Sequence, residues 1–362
     1  MSVRAGGRVN PRTLLGGAAA LIVLTGLIAA PFGLKPYGIY ILTMWAVTTI
    51  AAIGLNLTLG YAGQVSLAQG AFVGIGAYIA ALLTTQGWPL GAAYLLAGVS
   101  CFGVGWLLGY PALRVQHHYL AFVTLAFATL AYLIFRNEEW ITGGIYGISN
   151  IPRPSLFGYA LRAPRDFYYF CLANLALVAL AAWWLIRSPW GRAFVALREN
   201  PVRALSLGVD TRRYTLMAFA LGAGIGGIAG VLYAPLVQYI DPRPFSLLLS
   251  LNLLLMVIVG GAGYFLGPFV GAVVAVLLPE WLQAADNAYG LFGPLADSLR
   301  VILPPTALKY VAKHYLVVYA LFVMALLVVS PTGILGFIER RFSAPTAATP
   351  PQPPALDAKA AS

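Results

Sequence analysis

Uncharged polar side chains cluster in one otherwise apolar stretch near the start of the chain. They are Asn56, Tyr61, Gln64, Ser66 and Gln69. Glycines at positions 54, 60, 63, 70, 74 and 76 lie among them, so a helix through this stretch can break. In a membrane, the backbone groups freed by a break need protein or a water-filled path beside them. Uncharged amides suit a zwitterionic or neutral solute but also bond helices together, so the stretch predicts either a substrate path or interhelical contacts.

A second group of residues that could contact a solute follows farther along the chain. Thr142, Gly143 and Gly144 open a segment that runs to Arg153. Successive glycines allow backbone conformations that other residues avoid, which suits either a gate at the mouth of a path or an ordinary turn. We interpret the segment as an outer gate or as a simple turn.

The sequence lacks the patterns expected for catalysis, nucleotide binding or ion coupling. Each of the four lysines follows Leu or Ala, so there is no P-loop Gly-Lys pair, and neither H-E-x-x-H nor G-x-S-x-G occurs. Glu280, His117 and His118 stand at the ends of apolar stretches, where solvated interfacial groups are expected. Cys101 and Cys171 match no metal or redox spacing. We therefore predict no enzyme, no metal site and no cofactor in this chain.

The composition indicates which elements must position these residues. Of the 362 residues, 60% are hydrophobic and 9% are charged, which excludes a soluble enzyme because a water-exposed surface needs more charge. A bilayer requires spans of roughly 17–25 residues. We predict an all-α polytopic membrane protein with a broken or re-entrant segment at 60–70. About ten spans are expected, near 13–33, 37–59, 65–85, 90–109, 119–135, 167–186, 214–237, 245–260, 266–282 and 315–330.

The distribution of charge predicts the orientation. The net charge is +11, and with the N-terminus inside, 13 of the 22 Lys and Arg residues fall on the inner side, so both termini are expected in the cytoplasm. We predict a cytoplasmic N-terminus over 1–12, a transmembrane domain over 13–342 and a disordered cytoplasmic tail over 343–362. The first apolar stretch exceeds the ~7–15 residue core of a signal peptide, so an uncleaved span is favoured.

One long inner loop, at 187–213, has a pattern that a passive linker does not need. Apolar residues recur in it at intervals of three to five with arginines between them, which predicts an amphipathic helix around Ala193–Leu207, interrupted by Pro201 and capped at Gly208. Such a helix would lie at the membrane surface and face a cytoplasmic partner. The alternative is a basic loop that only obeys the positive-inside rule.

Glycine spacing predicts close helix packing and a faint internal repeat. Gly-x-x-x-Gly patterns begin at Gly70, Gly222 and Gly267. Ala62-Gly63 followed by a Gly-Ala-Phe-Val-Gly string resembles Ala262-Gly263 followed by Gly-Pro-Phe-Val-Gly. Paired interrupted segments point to the transport path in transporters built from repeats, although so Gly-rich a chain also produces such matches by chance.

Several strings of the sequence resemble the LivM-type permeases of branched-chain amino acid ABC importers. They are GRAFVALRENPVRALSLGVDTRRYTLMAFALGAGIGGIAGVLYA in the inner loop and after it, GLNLTLGYAGQVSLAQGAFVGIGAYIAALL, YLAFVTLAFATLAYLIF, TGGIYGISNIP and VIVGGAGYFLGPFVGAVVAVLLPE. They occur in the family's order and span about residues 40–335. One departure is the outer region 283–314, which is long and contains Pro304-Pro305.

The resemblance implies a permease of the bacterial inner membrane that works with partners. These are a second permease subunit, two cytoplasmic ATPases that hold the ATP and Mg, and a periplasmic solute-binding protein, with membrane lipid around the spans and no nucleic acid. The inner loop would then be the ATPase-coupling loop. The coupling residues that the resemblance implies are Gly191, Arg192, Arg198, Glu199, Asn200, Arg203, Ala204 and Gly208.

Composition does not separate this reading from a urea or short-chain amide permease, a family that resembles this one. An ion-coupled secondary carrier is a different class, and its uptake would be abolished by an uncoupler even with ATP supplied. A structural scaffold would give no uptake at all. The substrate is not fixed by the sequence of this chain, because the binding protein does much of the selecting.

Overall fold

A computed structural model of the chain describes residues 25–112, 119–156, 159–284 and 313–342. Within those ranges the elements are helical apart from a two-residue hairpin, Ser155–Leu156 with Tyr159–Ala160. The helices are α1 (25–33), α2 (Pro36–Leu55), α3 (Gln69–Thr85), α4 (Leu90–Ala112), α5 (Tyr119–Asn137), α6 (Glu139–Thr142), α7 (Pro164–Arg187), α8 (Pro189–Glu199), α9 (Pro201–Ser206), α10 (Thr211–Val237), α11 (Leu247–Gly260), α12 (Gly267–Ala272), α13 (Leu278–Ala284), α14 (Tyr315–Val329) and α15 (Gly333–Phe342). Predictions for 1–12, for 13–24 of the first predicted span, for His117 and His118, for most of 283–314 and for 343–362 lie outside the described residues.

Several helices of the described chain are apolar and long enough to cross a membrane. Five qualify by length and composition: Pro36–Tyr61, Leu90–Tyr110, Leu120–Asn137, Pro164–Arg187 and Thr211–Val237. A sixth is formed if Tyr315–Val329 and Gly333–Arg340, which are bent by 40°, count as one span. Shorter apolar helices are Gln69–Thr85, Leu247–Gly260 and Gly267–Gln283. The predicted all-α polytopic class is confirmed, whereas the count of about ten spans stays a prediction.

Helix α10 lies at the centre of the packing and contacts α2, α3 and α4. Glycines make these close approaches possible: a Cβ on Gly222 would lie 2.6 Å from the Gly54 carbonyl oxygen of α2, and a Cβ on Gly230 would overlap the Val73 carbonyl of α3. Helices in lipid have no hydrophobic force that draws them together, so close backbone contact supplies the dispersion energy that holds them. The Gly-x-x-x-Gly pattern of α10 is therefore a packing face.

Two helices are broken in similar ways. Helix α2 continues as a π-helix over Asn56–Tyr61 and then ends, and the irregular residues 62–68 lead into α3. Helix α11 ends at Gly260, and the turn 261–266 leads into α12 and a second π-helix, Val273–Leu277. Gly63 and Gly263, the glycines of the two Ala-Gly pairs, both have positive φ angles, 69° and 85°. We call 60–68 the first break and 261–266 the second break.

The 187–213 loop forms two helices, Pro189–Glu199 and Pro201–Ser206, where the sequence predicts one helix over 193–207 interrupted by Pro201. Asn200 separates them with an extended backbone, φ −159° and ψ 100°, because the ring of Pro201 disfavours a helical residue before it. Asn200 also caps α9, since its side chain accepts a hydrogen bond from the Arg203 N–H at 3.0 Å. Gly208 follows α9 with a φ of 84°, where glycine is strongly favoured.

The packing role of the α10 glycines can be tested by comparing Gly230→Ala with Gly103→Ala. A Cβ at 230 meets the α3 backbone, whereas one at 103, inside α4, meets nothing within 4 Å. We expect Gly230→Ala to lower the thermal unfolding temperature in detergent, through overpacking that costs about 1–3 kcal/mol. Gly103→Ala should be neutral or stabilising by up to about 1 kcal/mol from helix propensity. Equal melting temperatures for the two variants would contradict this account of α10.

Candidate functional site

The Asn56 side chain joins the π-helix at the end of α2 to the second break. Its Nδ2 donates to the Tyr264 carbonyl at 2.9 Å, and its Oδ1 accepts from the Gly263 N–H at 3.0 Å. Both ends of the amide are therefore used, and Asn56 is buried. Gly60 must lack a side chain here, since a Cβ would overlap both Asn56 Oδ1 and the Gly263 nitrogen.

The other amides and hydroxyls of the polar stretch bond to neighbouring backbone. Gln69 donates from Nε2 to the carbonyls of Ala51 and Gly222, each at 3.1 Å, and so links α3 to α2 and α10. Ser66 accepts from the Ala68 N–H at 3.3 Å. Gln64 donates to the Thr215 carbonyl at 3.3 Å, while its buried Oε1 has no hydrogen-bond partner among the described residues.

Tyr61 packs the 187–213 loop against the end of α2. Together with Leu57 and Ala62 it forms a buried cluster with Phe194 of α8 and Ala218 of α10. The first break therefore rests directly on the first helix of the loop. Tyr61 and Phe194 are far apart in the sequence, so the local pattern around Tyr61 does not predict this contact.

Asn56, Gln64, Ser66 and Gln69 are buried and hydrogen-bonded within the chain, and Tyr61 is buried in the apolar cluster. The assignment of these five residues to a substrate path stays a prediction. Sequence reasoning missed Val65, which is 45% exposed between Gln64 and Ser66. It also missed two hydroxyls that satisfy the freed backbone: Thr124 of α5 accepts from the Leu67 N–H at 3.1 Å, and Ser250 of α11 accepts from the Gly70 N–H at 2.9 Å. An isolated Thr or Ser in an apolar helix gives no signal of such a partner.

The Thr142 segment lies away from these residues. Thr124, beside the first break, and Asn137 at the other end of α5 are about 20 Å apart at the helical rise, and Thr142 follows beyond Asn137. The Thr142 hydroxyl donates to the Phe135 carbonyl at 2.8 Å, while Gly143 and Gly144 have φ angles of 72° and 57°. These three residues therefore form a tight turn at the far end of α5, and the gate role stays a prediction.

The residues implied in coupling divide between the inside and the outside of the 187–213 loop. Gly191 and Ala204 are buried, and a Cβ on Gly191 would overlap the Ile186 carbonyl, so they position α8 and α9. Asn200 is the cap between the helices. Exposed members are Arg192, Arg198, Glu199, Arg203 and Gly208.

Arg198 nevertheless has an internal contact, because its Nη1 donates to the Gly60 carbonyl of the first break. Three apolar residues of α9 and its C-cap are exposed beside Arg203 and Ser206: Val202, Leu205 and Leu207 are 75%, 61% and 82% exposed. We call these three residues the apolar patch of α9.

Comparison with known proteins supplies a context for this geometry. The family model described as branched-chain amino acid transport system, permease component, matches residues 37–330. The chain is 35% identical over 296 residues to LivM, the high-affinity branched-chain amino acid transport system permease protein of Escherichia coli K12, with 75% of this chain and 69% of that protein covered.

More distant relatives extend the comparison. The chain is 31% identical over 206 residues to a probable branched-chain amino acid transport permease protein LivM of Methanocaldococcus jannaschii, covering 55% of this chain and 59% of that protein. It is 25% identical over 338 residues to the autoinducer 2 import system permease protein LsrC of Salmonella typhimurium, covering 82% and 94%. No solved structure matches the chain.

Burial in the first break predicts which positions react with a thiol reagent. Single cysteines are placed by Val65→Cys, Ser66→Cys or Gln69→Cys in a background where the buried Cys101 and Cys171 are alanine. In the purified chain we expect reaction with a small water-soluble maleimide at 65 and none at 66 or 69, because exposure of the thiolate controls the rate. Reaction at 66 and 69 at the rate of 65 would show that water reaches these positions. Rates that change with ATP and substrate in the assembled complex would assign them to a path.

Proposed function

Because the chain belongs to the family of permease components of branched-chain amino acid transport systems, we propose that it is the membrane-spanning subunit of an ATP-driven importer of branched-chain or related amino acids. The observation that carries this proposal is the extent of the family match. It runs from 37 to 330 and so includes both breaks and the 187–213 loop.

ATP is hydrolysed by partner subunits in this proposal. The sequence has no P-loop to hold a nucleotide. The apolar patch of α9 gives a cytoplasmic ATPase a surface to bury, and the exposed Arg203 of the same helix adds charge complementarity at its rim. Two ATPases, one for this chain and one for a second permease, provide the energy, with ATP and Mg bound to them.

The remaining partners follow from the same family. In this proposal a second permease subunit completes the path, and what supports a shared path is that Val65 of the first break is exposed in this chain alone. A periplasmic solute-binding protein delivers the substrate. The protein lies in the bacterial inner membrane with both termini in the cytoplasm, as the excess of Lys and Arg on the inner side favours.

The broken helices supply the means of alternating access. A helix interrupted by glycines at membrane depth hinges with little cost, and its freed backbone groups meet a polar solute when the hinge opens. Asn56, Gln64, Ser66 and Gln69 carry no charge, which suits an amino acid whose two charges cancel. Their hydrogen bonds hold the closed state, and exchange of these bonds for bonds to substrate would accompany passage.

Transport by the complete complex tests the proposal. The chain is reconstituted in proteoliposomes with its second permease, ATPases and binding protein, and uptake of labelled leucine is measured with ATP and with a non-hydrolysable analogue. We expect uptake that needs ATP hydrolysis, persists with an uncoupler and is not reduced by excess urea. Uptake of urea instead of leucine would favour the amide permease, and uptake abolished by the uncoupler with ATP present would favour an ion-coupled carrier. ATP hydrolysis by the purified chain alone would contradict the proposal.

Docking through the apolar patch of α9 is tested by Leu205→Asp. The control is Arg213→Gln, which also lowers the charge of the loop by one and removes only a surface ion pair with Asp210, of side chains 82% and 48% exposed. We expect Leu205→Asp to reduce copurification of the ATPases by about tenfold or more, because a charge in a desolvated patch is costly. The control should copurify normally. Equal yields for both variants would place the docking surface elsewhere.

A further inference from the structure

One arginine of the 187–213 loop reaches the first break. Arg198 lies in the last turn of α8, and its Nη1 donates to the carbonyl of Gly60, within the π-helix that ends α2. The last carbonyls of a helix lack partners in the helix itself, and a cation at this end also favours the helix dipole. Arg198 therefore acts as a cap for the broken end of α2, supplied by another element.

The same side chain is enclosed by a glycine of each break. A Cβ on Gly63, in the first break, would lie 2.9 Å from Arg198 Cγ and 3.3 Å from its Cα. A Cβ on Gly263, in the second break, would overlap Arg198 Nη1 itself. Because Gly63 and Gly263 have no side chain, there is room for the Arg198 side chain between the two breaks. The matching glycines of the sequence repeat are thus the two positions at which one arginine touches both breaks.

Other contacts make this arrangement one connected unit. Asn56, in the π-helix that leads into the first break, bonds to Gly263 and Tyr264 of the second break, and Phe194 packs α8 against Tyr61. A cavity of about 410 Å³ lies beside the guanidinium, lined by residues of both breaks and by Pro331 and Thr332. The side chain therefore has open space next to it into which it can move while α8 stays in contact with α2.

We propose that Arg198 is a positioning residue that transmits movement of the loop to both helix breaks, and that it is not a contact for the ATPase. The inference rests on the proposed function, because it concerns how ATP hydrolysis on a partner opens this chain. A planar guanidinium with five donors holds one carbonyl and still presents donors to a second segment, which a lysine ammonium on a flexible stem does less well. The ATPase contacts belong to the apolar patch of α9, one helix farther along.

The test compares Arg198→Gln and Arg198→Lys with the control Arg213→Gln in the complete reconstituted complex. Three quantities are measured for each: copurification of the ATPases, ATP hydrolysis with and without substrate-loaded binding protein, and substrate taken up per ATP hydrolysed. For Arg198→Gln we expect normal copurification and hydrolysis, with uptake per ATP reduced about tenfold, as loss of a charge-assisted hydrogen bond in the transmission step would produce. Arg198→Lys should recover part of the ratio, and the control should match the unaltered protein.

Three outcomes overturn the inference. Unchanged uptake per ATP in Arg198→Gln would show that the contact transmits nothing. Loss of copurification in proportion to loss of uptake would make Arg198 an ATPase contact. A lower melting temperature with an unchanged uptake-to-ATP ratio would make it a structural cap only. Failure of the proposed function is recognised separately, because the unaltered complex would then show no ATP-dependent uptake.

Discussion

Backbone groups that leave a helix inside an apolar protein must find hydrogen-bond partners within the protein, and the described structure is arranged around this constraint. Each break frees several N–H and C=O groups, and a buried group of this kind is costly unless it is hydrogen-bonded. Asn56 uses both ends of its amide to bond the turn of the second break, and Gln69 binds carbonyls of two helices. Thr124 accepts the Leu67 N–H of the first break, and Ser250 accepts the Gly70 N–H at the start of α3. Asn56, Thr124 and Ser250 are therefore placed where the interrupted backbone needs hydrogen-bond partners.

These hydrogen bonds require close approach of the helices, and glycines at the contacts allow that approach. Gly54 and Gly222 bring α2 and α10 close enough for Gln69 to reach carbonyls on both helices, and Gly60 leaves room for the amide of Asn56. The same absence of side chains at Gly63 and Gly263 admits the guanidinium of Arg198. Close packing and hydrogen bonding are therefore one property of this fold: a methyl group added for better packing would displace a donor or an acceptor.

The 187–213 loop connects this interior to a surface that a partner can bind. Its first helix faces inward, where Phe194 packs on Tyr61 and Arg198 meets Gly60. Its second helix leaves Val202 and Leu205 exposed. Pro201 creates the division, since the extended Asn200 before it lets the two helices take different directions. In a single continuous helix, the internal contacts of Phe194 and Arg198 and the exposed Val202 and Leu205 would lie along one axis with no change of direction between them.

The sequence by itself determined the class of the molecule: apolar composition with few charges requires a polytopic helical membrane protein, and the ordered glycine-rich strings identified the permease family. It also located the first break, because Gly60 and Gly63 stand among polar residues in an apolar run. Only the tertiary structure decided what those residues contact. Asn56 and Gly263 are 207 positions apart, and Arg198 and Gly60 are 138 apart. No local periodicity predicts such pairs, because a hydrogen bond at a break requires that the tertiary structure bring a donor or acceptor from a distant helix within about 3 Å.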